Sequence, residues 1–100
     1  MDYKVALALS ARSDIRDIVR YISFDAPERA LDFGRFLVSK VKALGQFPEM
    51  GRVVPEFNDS NLREIVVRSY RVIYRVDHVQ QKIEVVRFWH AARGDPEIHA

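Results

Sequence analysis

The residues best suited to chemistry in this chain are arginines, and they crowd into one third of it. Residues 61–94 hold seven basic side chains (Arg63, Arg68, Arg71, Arg75, Lys82, Arg87, Arg93) against three acidic ones (Glu64, Asp77, Glu84). Residues 1–60 hold nine of each sign, so the net +2 of the whole chain conceals a basic C-terminal third. Six of those seven cations are arginine, whose planar fork of donors matches phosphate and carboxylate oxygens. Such a surface can face RNA, DNA or an acidic protein. It can equally be the solvated side of a sheet. His78, His90 and His99 add side chains able to exchange protons. His78 falls in a turn and reads as solvated; His90, at a strand end, is either a hydrogen-bonding structural residue or part of a site.

Several chemistries lack their residues. There is no cysteine, hence no thiolate nucleophile, disulfide or cysteine metal site. No HExxH, H-x-E or acidic cluster has metal-ligand spacing, and there is no P-loop, GxGxxG or GxSxG. Neither metal nor cofactor is expected. With 100 residues, 48% of them hydrophobic and 30% charged, the chain suits one folded domain over 1–100. The apolar run from Met1 to Leu9 is short and broken by Lys4, unlike a signal peptide. No apolar run approaches the roughly 20 residues that cross a bilayer. A cytoplasmic location with no membrane partner is the expectation.

The elements that must position these residues show in the periodicities. Residues 3–9 alternate, with Val5, Leu7 and Leu9 on one face, as in a strand. Ile15, Ile18, Val19 and Ile22 then form a helical stripe, with Ser10 as the expected N-cap and Asp14 near the positive end of the helix dipole. A second helix restarts at Asp25 or Ala26, with Pro27 in its first turn. Ala30, Phe33, Leu37, Val41 and Leu44 make its apolar stripe, and Gly45 and Pro48 end it. These strand and helix stripes should be buried together. Residues 45–61 read as a long connector whose Phe47, Met50, Val53, Val54 and Phe57 can pack.

Three strands follow, over 62–67, 70–77 and 82–90, joined by hairpins at Ser69 and at 78–81. Tyr70, Val72, Tyr74 and Val76 share one face, Arg71, Ile73 and Arg75 the other. Tyr70 and Tyr74 read as core residues or as nucleobase platforms. Trp89 falls on the Ile83 and Val85 face. The order is β-α-α-β-β-β: an α+β fold with a helical hairpin on a mainly antiparallel four-stranded sheet, one face of which can stay open.

Four segments in this order resemble the RelE/ParE family of plasmid-stabilisation toxins. ALSARSDIRDIVRYI (8–22) is similar to the family's small-residue start and D-I-x-x-I-x-x-Y-I helix. LGQFPEMGRVVPE (44–56) is similar to L-x-x-x-P-x-x-G-R-x-V-P-E, and LREIVVRSYRVIYRV (62–76) to L-R-E-x-x-V-x-x-Y-R-V-I-Y-R-V. WHAARGDP (89–96) resembles H-x-x-R-D-P. The resemblance implies the toxin of a type II toxin–antitoxin system. A disordered acidic or amphipathic antitoxin segment would wrap it, giving a hetero-oligomer.

Two activities occur on this fold, and fold alone does not choose between them. ParE-like members inhibit DNA gyrase; RelE-like members cut messenger RNA in the ribosome without a metal. Metal-free cleavage needs a base for the 2′-OH, cations for the phosphate and an acid for the leaving oxygen. The resemblance places Arg63 and Arg93 where RelE-like members hold phosphate, with His90 as a proton-exchanging candidate beside them. Where those members carry a tyrosine, six residues past Arg93, this chain has His99. Arg63 can instead pair with Glu64 or with an acid of a neighbouring strand. The four segments stand closer to the ParE branch, and only four lysines occur. Gyrase inhibition is therefore the expectation, with the ribonuclease as alternative and a third possibility of a domain that only binds its partner. Under the gyrase reading Arg71, Arg75, Arg87, Trp89 and His99 are the candidate target-binding residues.

Overall fold

A computed structural model describes residues 2–98. The elements run β1 (Lys4–Leu7), α1 (Leu9–Ser23), α2 (Pro27–Ala43), β2 (Arg52–Val53), β3 (Leu62–Val67), β4 (Tyr70–Asp77) and β5 (Lys82–His90), closed by a 3₁₀ turn over Ala91–Arg93. The two helices form the expected hairpin, with Ala26 as N-cap of α2 and Pro27 behind it. The sheet has five strands rather than four, in the order β1-β5-β4-β3-β2. The extra strand is β2, a two-residue pairing inside the long connector. β1 is parallel to β5, and the other pairings are antiparallel. Both hairpin turns use a left-handed residue that is not glycine, Arg68 (φ 55) and Gln81 (φ 54).

The helices cover one face of the sheet. Leu37, Val41 and Leu44 from the second helix are buried against Val67, Val72, Tyr74, Val76, Ile83, Val85 and Phe88, with Val5, Leu7, Ile15, Ile18 and Phe33 packed around them. Tyr70 and Tyr74 thus belong to the covered face; Tyr74 is fully buried. Three members of the expected core differ. Val19 and Ile22 are half-buried and line surface grooves at the helical hairpin. Leu9 is 84% exposed. The strand stops at Leu7, so Leu9 obeys the helical period, and it sits about 200° around the helix from buried Ala11.

β1 reaches only as far as Val85. Beyond it, the first turns of α1 satisfy the free edge of β5. Ala8 N donates to Val85 O (2.8 Å), Ser10 Oγ donates to Val86 O (2.6 Å), and Asp14 Oδ2 accepts from Phe88 N (3.0 Å). Ser10 is therefore not the helix cap; Ala8 holds that position without a side-chain bond. Asp14 likewise is spent on the sheet edge, not on the dipole.

A bulge decides where the C-terminal aromatics point. Tyr74 pairs with Val85 while Ile73 pairs with Arg87, which leaves Val86 as an extra residue. One extra residue moves every later side chain to the opposite face. Phe88 and His90 consequently lie on the helix side. Trp89, expected with Ile83 and Val85, lies with Arg71, Ile73 and Arg87 on the other side. There it joins a second cluster with Val54, Leu62, Ile73 and Val86, capped by Phe57 and Ile98. Residues of the long connector and of the C-terminal tail thus cover much of the face that the helices leave open. Among the described residues, no helix is long and apolar enough to cross a membrane.

Candidate functional site

Three of the six arginines of the basic third, Arg71, Arg75 and Arg87, are held by carboxylates. Arg71, 8% exposed, donates from Nε to Glu64 (2.5 Å) and from both terminal nitrogens to Glu56 (2.7 and 2.8 Å). The second oxygen of Glu64 accepts from Arg52 Nε (2.6 Å), so one buried carboxylate bridges two guanidiniums. These four residues come from the 44–56 and 62–76 segments. A bidentate, desolvated arrangement of this kind is geometrically demanding. Gly51 makes room for it, because a Cβ there would lie 2.5 Å from Glu64 O. Tyr74 OH accepts from Gly51 N (3.0 Å) and donates to Pro48 O (2.8 Å), and burial raises the pKa of its phenol. Glu56 is held below the ordinary carboxylate range, chiefly by its hydrogen bonds from Arg71, and Arg71 is pushed further up by Glu56 and then Glu64.

The remaining candidates divide in the same way. Arg75 pairs with Asp59 (3.0 Å). Arg87 pairs bidentately with Asp14 (2.7 and 3.0 Å) and also donates to Glu97 O (2.9 Å). Arg63 does not pair with Glu64; it donates to Gly51 O (2.8 Å). Trp89, 2% exposed, donates Nε1–H to Gly94 O (3.1 Å). Two guanidiniums stand over its ring, Arg87 at 4.8 Å and Arg93 at 3.9 Å from the centroid. His99 lies outside the described residues.

His90 and Arg93 do meet. With Asp14, Asp17, Tyr21 and Tyr70 they line a cleft of about 210 Å³ between α1 and the ends of β4 and β5. His90 Nδ1 accepts from Ala92 N (3.1 Å), which assigns the proton of the neutral ring to Nε2. Its ring stands edge-on to Tyr70 at 5.1 Å. Burial raises the pKa of the Tyr70 phenol, with a smaller push from Tyr21. Arg63 is not part of this cleft. Arg63 pairs with Tyr74 and His90 with Tyr70, on opposite sides of β4, so they stand about 14 Å apart along the strand direction alone. Sequence reasoning passed over Tyr21 and Asp17. The signal was available: Asp14, Asp17 and Tyr21, at i, i+3 and i+7, share one strip of α1.

A model of the ParE toxin of the type II toxin–antitoxin system parDE matches residues 5–94. The chain belongs to this ParE toxin family. No curated protein sequence matches this ParE-family chain. Solved structures share its fold. A chromosomal ParDE toxin–antitoxin system from P. aeruginosa superposes with a TM-score of 0.74 at 21% identity, covering 88% of this chain and 95% of that one. The RelBE2 toxin–antitoxin complex from Mycobacterium tuberculosis gives 0.68 at 20% identity, covering 90% and 99%. A double arginine-to-alanine mutant of the E. coli toxin RelE in the free state gives 0.66 at 18% identity, covering 94% and 88%. The chain is thus a type II toxin with the RelE/ParE-like α+β fold, which the ParDE, RelBE2 and RelE structures share.

Proposed function

We propose that this ParE-family toxin inhibits DNA gyrase by binding rather than by catalysis, and that a cognate antitoxin neutralises it in a cytoplasmic hetero-oligomer. The observation that carries this reading is the occupation of its cations. Arg71, Arg75 and Arg87 are paired to carboxylates, and Arg63 holds a backbone carbonyl far from His90. A metal-free ribonuclease needs several free cations converging on one phosphate. A binding surface needs only a few anchors, with arginine and tryptophan favoured among them. Arg93, set over the buried Trp89 ring beside the end of β5, is such an anchor.

The cleft of His90, Arg93, Tyr21 and Tyr70 favours the ribosome-dependent endoribonuclease as second reading, because it gathers a proton-exchanging ring, two phenols and one cation. Purified protein mixed with gyrase and plasmid DNA, or with programmed ribosomes, separates the two. Inhibited supercoiling with intact messenger RNA is expected, and His90→Ala should leave that inhibition in place. Codon-specific cutting in the ribosomal A site, abolished by Arg93→Ala, with gyrase untouched, overturns the proposal.

A further inference from the structure

We propose that Tyr3, His78 and Glu49 form a second site, an acyl-accepting centre that cleaves activated acyl donors of the aryl ester class. Tyr3 Oη donates to His78 Nδ1 (2.9 Å), and His78 Nε2 faces Glu49 Oε1 at 3.3 Å. A carboxylate beside Nε2 keeps the ring proton there and leaves Nδ1 bare to accept. Hydroxyl, imidazole and carboxylate in that succession are the arrangement that activates a nucleophile. Three distant segments are pinned together to make it. Tyr3 N donates to Gly45 O (2.8 Å) and Lys4 N to Gln81 O (3.1 Å), so the start of β1 lies between the end of α2 and the turn that carries His78. A Cβ at Gly45 would stand 2.8 Å from Tyr3 O, so this approach needs glycine. Gln80 N donates to Asp77 Oδ1 (3.0 Å) and fixes the turn, while Pro48 O, next to Glu49, accepts from Tyr74 OH.

The three side chains border a cavity of about 460 Å³ whose other walls are Phe47, Pro48 and Met50. Phe47 and Met50 are exposed, and Glu49 is the one acid among the residues that line the cavity. Such walls suit a neutral, apolar acyl group. The nucleophile selects the leaving group. A phenolate is expelled more readily than an alkoxide, so a tyrosine takes an acyl group only from a donor whose leaving group is about as acidic as a phenol. As Tyr3 Oη attacks the carbonyl carbon, its proton passes to His78 Nδ1. The bond to the leaving oxygen then breaks, and that oxygen takes the proton, which leaves acyl-Tyr3. Water next attacks the same carbon; His78 Nδ1 takes its proton and returns it to the departing Tyr3 oxygen. The net reaction is ester plus water to acid plus alcohol, with Tyr3 restored. The side chains of His78 and Glu49 are 43% and 63% exposed, so water reaches the centre. The site is separate from the His90 cleft. Tyr70, which pairs with His90, and Asp77, which precedes His78, are the two ends of β4, about 23 Å apart. The inference therefore rests on neither reading of the toxin's target.

The test uses the full chain with p-nitrophenyl butyrate. Saturable release of p-nitrophenol is expected, and protein quenched in acid should carry one butyryl group, which peptide mass spectrometry should map to Tyr3. Tyr3→Phe keeps the ring and removes the oxygen, so it should lose both the adduct and the saturable turnover. His78→Gln should slow turnover about a hundredfold, as the loss of a general base does, and Glu49→Gln by a smaller factor. Ethyl butyrate, with the same acyl group and an alkoxide to expel, should be inert. Circular dichroism shows whether each variant folds; should a variant not fold, the position of the adduct on the wild type decides. Acylation of a lysine or of His78 in place of Tyr3, turnover that survives Tyr3→Phe, equal turnover of ethyl butyrate, or a rate no greater than that of equimolar free imidazole overturns the proposal. No readout involves gyrase, ribosomes or toxicity, so failure of this site and failure of the toxin reading are told apart.

Discussion

Glu64 is 1% exposed and has a guanidinium on each oxygen. Removing one partner of a buried ion pair strands the other charge in a poorly solvated place. Glu64→Ala should therefore cost about 3–5 kcal/mol in chemical denaturation. Asp32→Ala, which breaks an exposed helix pair of 4.0 Å, should change stability by about 0.5 kcal/mol or less. A cost below 1 kcal/mol for Glu64→Ala would show that Arg52 and Arg71 do not need it. Glu56 adds a pH dependence. Its folded pKa lies below the ordinary 4.5, so its stabilisation is complete above that value and is lost as pH falls through the lowered folded value. Glu56→Gln should flatten that acid limb, and the wild type should lose more stability than the variant between neutral and strongly acid pH. At this scale the sequence held more than periodicity extracted from it. Adjacent strand residues point to opposite faces, so Arg63 was never placed to pair with Glu64. Which acids would reach Arg71 and Arg75 depended on how the connector folds, and no local pattern encodes that.

The strands and helices follow their hydrophobic periods closely, and the hairpin of helices over the last three strands was legible from spacing alone. What was not legible arises where one period hands over to another. Leu9 fits both the strand alternation and the start of the helix, and the helix claims it. Val86 interrupts the alternation of β5 without a glycine or proline to announce a bulge, which reverses Trp89. β2 is too short for any periodicity to reveal. The fastening of α1 to the edge of β5 rests on Asp14, which serves both Arg87 and the Phe88 amide. A double-mutant cycle of Asp14→Ala and Arg87→Ala should show coupling of about 1–3 kcal/mol. Additive losses would mean that the pair contributes nothing beyond its separate packing.

For the molecule as a whole, the basic third does not present a continuous cationic face. The connector and the tail fold acids and apolar side chains over it, and the net charge of the segment says nothing about that covering. Family membership makes a cellular prediction. Soluble expression of this chain alone should arrest growth, and co-expression with a cognate antitoxin should restore it. Normal growth at a verified level of folded protein would separate the fold from the toxic activity.

Trp89 has one more consequence. It is the sole tryptophan of the chain. Its indole is enclosed by the tail, with Ile98 in the same cluster and Gly94 O on its N–H. Intrinsic fluorescence excited at the indole band therefore reports this one location. Emission should be blue-shifted and shielded from iodide while the tail is closed, and should shift to the red whenever the tail lifts. Any partner that engages the end of β5 can be followed optically, without a label, through the side chain nearest to it.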